Sequence, residues 1–114
     1  MTLVFKIVPK DMWREAEAEG TFKGAPGDLA DGYIHFSTAE QARETAARHF
    51  SGQDDLLLAA FESGSFGDAL KWEPSRGGAL FPHLYAELNP ADALWVRALP
   101  LSADGGHLFP EMNV

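Results

Sequence analysis

The chain has no cysteine in 114 residues, which excludes a disulfide framework, a thiolate metal site and a cysteine nucleophile, and fits a reducing compartment. Basic residues are scarce: nine Lys and Arg stand against seventeen Asp and Glu, for a formal charge of -8. That balance argues against a protein that holds nucleic acid non-specifically by neutralising phosphates. A local group such as Arg43, Arg48, Lys71 and Arg76 could still accept a small anion, because charge is screened beyond roughly 8–10 Å. Long apolar runs are missing as well, and so is a basic segment followed by an apolar one at the N-terminus. The expectation is therefore a cytoplasmic protein with no membrane partner. Neither a Walker loop nor a dinucleotide fingerprint follows a strand, and no Gly-x-Ser-x-Gly elbow occurs, which removes three common solutions for nucleotide binding and hydrolysis. Without repeats, low-complexity tracts or a linker, residues 1–114 read as one domain, long enough to bury a single core.

What is present alternates between strand and helix signals. Leu3 to Val8 is β-branched and aromatic and stops at Pro9. Asp11 is placed to cap a helix from Met12 to Glu19, with Trp13 and Ala16 inward and Gly20 at its end. Thr21 to Ala30 reads as a Gly- and Pro-containing loop, long enough to fold over a pocket. A second helix is expected over Ala39 to Phe50, and both Ser37 with Glu40 and Thr38 with Gln41 satisfy capping-box spacing. Asp55 to Phe61 is continuously apolar, as in a central strand covered on both faces. A strand at Leu70 to Glu73 and a return over Ala79 to Leu88 follow, with Pro82 marking a strand start or an edge. Ala93 to Leu101, around Trp95, completes the ordered part, and the tail from Ser102 reads as peripheral. Together these predict an α+β fold, a mostly antiparallel sheet with two main helices.

Chemistry concentrates around two histidines. In Tyr33-Ile34-His35-Phe36-Ser37, period-two alternation puts Tyr33, His35 and Ser37 on one face, opposite Ile34 and Phe36. In Phe81 to Glu87 the same parity groups His83, Tyr85 and Glu87 opposite Leu84 and Ala86. If the two polar faces meet, they form a cleft of imidazole, phenol and hydroxyl groups suited to a small-molecule ligand. The helix that begins after Thr38 would aim its first amides near His35, an arrangement that favours phosphate or carboxylate. Bland readings stand beside these: a half-buried His35 bonding a carbonyl, Ser37 and Thr38 as helix caps, and Lys71 and Glu73 as a solvated strand face with Trp72 in the core. His49 and His107 read as structural or surface residues.

The order DGYIHFST, ARETAARHF, DDLLLAAF, LKWE and FPHLY resembles a small bacterial family known as domain of unknown function 952. The likeness runs from Phe5 to Leu88, and Ala86 departs from it where glycine is expected. The resemblance implies an ADP-ribosyltransferase-like split sheet, with NAD or an ADP-ribose derivative as the nucleotide-like ligand. It implies His35 as the histidine of the adenosine-side ribose, with Ser37 and Thr38 beside it. Tyr85 or His83 then serves as the aromatic neighbour of nicotinamide, and Glu73 or Glu87 as the acid at the nicotinamide ribose, where a carboxylate stabilises developing positive charge. Glu73 is preferred.

Two other uses of these residues stay open. A binding or protein-interaction module would have the cleft without turnover. His35, His83 and Glu73 could also offer two imidazoles and a carboxylate to a metal, but without short ligand spacing no metal is expected.

Overall fold

The computed structural model describes residues 2–113, apart from the side chain of Arg76. Along the chain come β1 (Leu3–Pro9), α1 (Lys10–Glu19), α2 (Pro26–Asp31), β2 (Ile34–His35), α3 (Ala39–His49), β3 (Leu56–Glu62), β4 (Leu70–Pro74), β5 (Leu80–Leu84) and β6 (Trp95–Leu99). The strands form two antiparallel three-stranded sheets, ordered β1-β3-β6 and β2-β5-β4. The α+β class and the antiparallel pairing agree with the sequence expectation. No helix among the described residues is long and apolar enough to cross a membrane.

The unbroken apolar run becomes β3, the middle strand of the first sheet. Its alternate side chains serve two cores: Leu57, Ala59 and Phe61 pack with Trp13 and Phe36, whereas Leu56, Leu58 and Ala60 pack with Phe5 and Ala46 under α3. A strand buried on both sides has no polar face to display, so its sequence does not alternate.

Residues 34–37 join the two sheets. Ile34 and His35 pair with Leu84 and His83 of β5, while two residues later Ser37 exchanges both backbone bonds with Phe5 of β1, at 2.8 and 2.9 Å. Pro82 helps to force this change of partner. Phe36 donates its N–H to the Pro82 carbonyl at 3.0 Å, but proline has no N–H to return, so the β2–β5 ladder stops there. Pro82 thus lies inside the central strand of its sheet, not at its start or edge, and it ends the ladder on the one side where the neighbour is already leaving.

Several local expectations are corrected. Helix α1 starts at Lys10 behind Pro9, and Asp11 sits in its first turn without a side-chain cap bond. The Thr21–Ala30 segment is not all loop: Pro26 at the first helical position and Gly32 in the left-handed conformation, φ 87°, bracket the short helix α2. Of the two capping boxes that spacing allowed before α3, Thr38 with Gln41 forms. Strand β5 ends at Leu84, and Leu88 instead makes an isolated bridge with Phe22. Trp72 is 41% exposed, because β4 is an edge strand and its first residue, Leu70, is the one that packs against the core. The tail is less peripheral than its composition suggests, since Phe109 and Met112 pack on the second core and His107 bridges back to Leu101.

Candidate functional site

His35 and His83 are direct cross-strand partners, so their side chains leave the same face of the second sheet. Their rings lie 5.5 Å apart, centre to centre, edge against face. Tyr33, one step before β2, closes over them: its ring is stacked on His83 at 4.1 Å and touches His35 at 4.6 Å and Tyr85 at 5.2 Å. His83 is buried under it, with 3% exposure.

Each imidazole is held by carboxylates. Glu73 Oε1 lies 2.9 Å from His83 Nδ1 and accepts the Tyr85 hydroxyl at 2.7 Å. These two bonds hold the Glu73 carboxyl below the usual carboxylate range. In return, the bond to Glu73 pushes the Tyr85 phenol up to about 12. Partial burial, Asp31 and Glu73 also raise the Tyr33 phenol, so both rings stay neutral hydroxyls at neutral pH.

His35 has two carboxylate neighbours: Asp28 Oδ1 at 2.7 Å from Nδ1 and Asp31 Oδ2 at 2.9 Å from Nε2. Carboxylate oxygens only accept, so the ring makes both contacts only as the imidazolium. Asp28 also receives the backbone N–H groups of His35 and Ala25, and the Lys6 ammonium donates to both of its oxygens at 2.9 and 3.0 Å. Lys6 completes its set with the His35 carbonyl at 3.0 Å. Burial works to raise the Asp28 carboxyl, but the His35 and Lys6 bonds outweigh it and hold the group well below the ordinary carboxylate range. Burial also lowers the Lys6 ammonium against the pull of Asp28. Lys6, Asp28 and His35 thus form a buried-to-exposed chain that fixes the tilt of the His35 ring.

Of the residues proposed from sequence, the fold brings His35, His83, Tyr85 and Glu73 into one cluster. Ser37 points elsewhere: it is buried at the junction between sheets, with its hydroxyl 3.0 Å from that of Thr45. Thr38 spends its oxygen on the cap of α3, accepting from Gln41 N. Glu87 receives the Thr21 hydroxyl away from the histidines and borders a cavity of about 280 Å³, shared with Lys23, Leu29, Tyr33 and Ala86. Arg43 stacks over Phe109, Arg48 pairs with Glu44 and Lys71 reaches the Asp68 carbonyl, so these three basic side chains are engaged elsewhere, and the side chain of Arg76 lies outside the described residues. No group of three or more acidic or histidine side chains suited to a metal occurs among the described residues.

Asp28, Asp31 and Lys6 were missed by sequence reasoning. Lys6 carried one signal, a lone charge in the apolar run Val4-Phe5-Lys6-Ile7-Val8, since a lysine is rarely buried unless paired. Nothing in the sequence indicated Asp28 as its partner.

The chain is similar to protein CC0527 from Caulobacter crescentus in two kinds of structure. Its crystal structure is 50% identical, with 94% of each chain covered and a TM-score of 0.90. Its solution structure is 51% identical over 93% of this chain and 91% of that one, with a TM-score of 0.84. No curated protein matches the chain. Residues 7–96 match the family described as protein of unknown function (DUF952), and with that span and those relatives the chain belongs to this family.

Proposed function

We propose that the face of β2 and β5 around His35 and His83 binds a nucleotide-like small molecule, with NAD or an ADP-ribose derivative as the first candidate, in the manner of an ADP-ribosyltransferase-like split sheet. The observation that carries this reading is the convergence of His35, His83, Tyr85 and Glu73 on one face beside the junction of two sheets. Ribose hydroxyls need acceptors as well as donors. Both Glu73 contacts fall on Oε1, which leaves Oε2 to accept from a sugar hydroxyl. The phenol rings and imidazoles offer faces for a planar base. In this assignment His35 meets the adenosine-side ribose, Tyr85 and His83 flank the nicotinamide end, and Glu73 faces the nicotinamide ribose. When NAD is bound it supplies a glycosidic bond whose cleavage develops positive charge on that ribose, and the Glu73 carboxylate is the group placed to stabilise it.

Isothermal titration with NAD, ADP-ribose and nicotinamide tests the reading. At least one should bind the wild type, with a ribose hydroxyl taking the place of the exposed Asp31 at His35 Nε2, and His35→Ala should weaken it by about fivefold, the scale of one lost hydrogen bond. If none of the three binds, the nucleotide reading falls. Binding without nicotinamide release assigns this face to a binding module instead of an enzyme.

A further inference from the structure

We infer that Tyr33 is a displaceable plug, occupying the face of His83 that a ring-bearing ligand takes, and that such a ligand enters by moving Tyr33 aside. Three observations meet here. First, the Tyr33 ring makes the closest ring contact in the cluster, stacked on His83 at 4.1 Å with 29° between planes, the geometry of a planar ligand on an imidazole. Second, His83 is almost without exposure although it lies on the same sheet face as the partly open His35, and Tyr33 is the ring stacked on it.

Third, Tyr33 is lightly held. Its hydroxyl has no hydrogen-bond partner among the described residues, in contrast to Tyr85, whose hydroxyl is tied to Glu73. It is half-buried and borders the 280 Å³ cavity, so dense packing does not lock it on every side. Behind it stands Gly32 at φ 87°, the left-handed end of α2 and a natural pivot for the segment. Its backbone N–H donates to the Asp28 carbonyl at 3.3 Å, whereas its side chain is held through ring contacts, and a ligand that offers His83 an equivalent ring replaces most of what the displacement loses.

His83 Nδ1 faces Glu73, so the opposite nitrogen, Nε2, is the one a reagent reaches once the plug moves. That makes the inference testable without any ligand. Carbethoxylation by diethyl pyrocarbonate, followed by peptide mass mapping at fixed pH, reads each of the four histidines separately. In Tyr33→Ala, His83 should react about tenfold faster than in the wild type, the scale of losing two or three aromatic contacts. His49 and His107 serve as internal controls for an intact fold, and their rates should not change. Tyr33→Phe should behave as the wild type, since it keeps the ring and loses only an unbonded hydroxyl. Equal His83 rates in wild type and Tyr33→Ala overturn the plug, and so does a Tyr33→Phe variant as reactive as Tyr33→Ala.

The ligand arm rests on the proposed nucleotide reading and is separable from it. If NAD binds, adding it should move Tyr33 away from His83, seen as loss of the nuclear Overhauser contact between the Tyr33 and His83 ring protons, which a ligand ring cannot reproduce. A bound ligand that leaves that contact intact overturns ligand-driven displacement. If NAD does not bind at all, the nucleotide reading fails while the carbethoxylation result still decides whether Tyr33 covers His83.

Discussion

Removing Asp28 should destabilise this protein more than removing any other single charge. The carboxylate is 3% exposed and accepts from the Lys6 ammonium at both oxygens, from the His35 ring, and from the backbone N–H groups of Ala25 and His35. In Asp28→Ala the Lys6 ammonium, 5% exposed in the wild type, keeps only the His35 carbonyl as a hydrogen-bond partner, with the Phe22 ring 6.0 Å away. Breaking a buried ion pair by deleting one partner costs about 3–5 kcal/mol. Against a typical domain stability of ~5–15 kcal/mol, that is a large share. With a urea slope of about 2 kcal/mol per molar, the midpoint should fall by roughly 2 M. Lys6→Met should cost less, because Asp28 then keeps its two backbone donors and the His35 ring. The double variant Lys6→Met with Asp28→Ala should be more stable than Asp28→Ala alone by about 1–3 kcal/mol, since it no longer buries an unpaired charge. Acid provides a second reading. The folded carboxyl of Asp28 lies below its ordinary value of 3.8, so its stabilisation is fully present above that pH and is lost as pH falls toward the folded value. The gap between wild type and Asp28→Ala should therefore narrow as pH falls below about 4. Strictly additive costs in the double variant, or a urea midpoint unmoved by Asp28→Ala, would refute the buried-pair argument.

Three further outcomes follow from the same geometry. Glu73→Gln should bring the Tyr85 phenol down from about 12 toward the ordinary 10.0, measured by ultraviolet titration of the two tyrosines, and an unchanged curve means the Glu73 bond does not exist in solution. Thr38→Ala should lower stability by about 1 kcal/mol through loss of the α3 cap, whereas Ser37→Ala should leave helix content unchanged because its hydroxyl meets Thr45 instead. Trp13→Ala should cost about 3–5 kcal/mol, with Trp72→Ala costing far less, and comparable urea midpoints for the two would contradict their different burial.

Period-two alternation is a local property, and it led correctly to the shared face of His35 and His83 because both sit in strands whose opposite faces are apolar. Where alternation continued but the backbone changed partner, the same rule misled: Ser37 keeps the parity of His35, yet by then the chain has left β5 for β1, and its side chain is buried against Thr45. Glu87 fails for a related reason, since β5 stops at Leu84 and the chain bends at Ala86, so the parity that still holds at Tyr85 is lost by Glu87. Trp72 was placed in the core by parity alone, which says which side a residue faces but not whether anything covers that side. On the edge strand β4, little does.

The buried half of the site was hidden by distance along the chain. Lys6 and Asp28 are 22 residues apart, on a strand and on a six-residue helix, and no short-range pattern links them. Their contact depends on the change of sheet at residues 34–37, which sets β1 and β2 near enough for a β1 lysine to reach both Asp28 and the His35 carbonyl. That same step also sets His35 opposite His83. The junction between the sheets therefore builds the fold and orients the candidate site with one set of residues, so Lys6 and Asp28 variants should lose stability and His35 geometry together. A variant such as Tyr33→Ala, outside that junction, should change access to the histidines while leaving the fold intact.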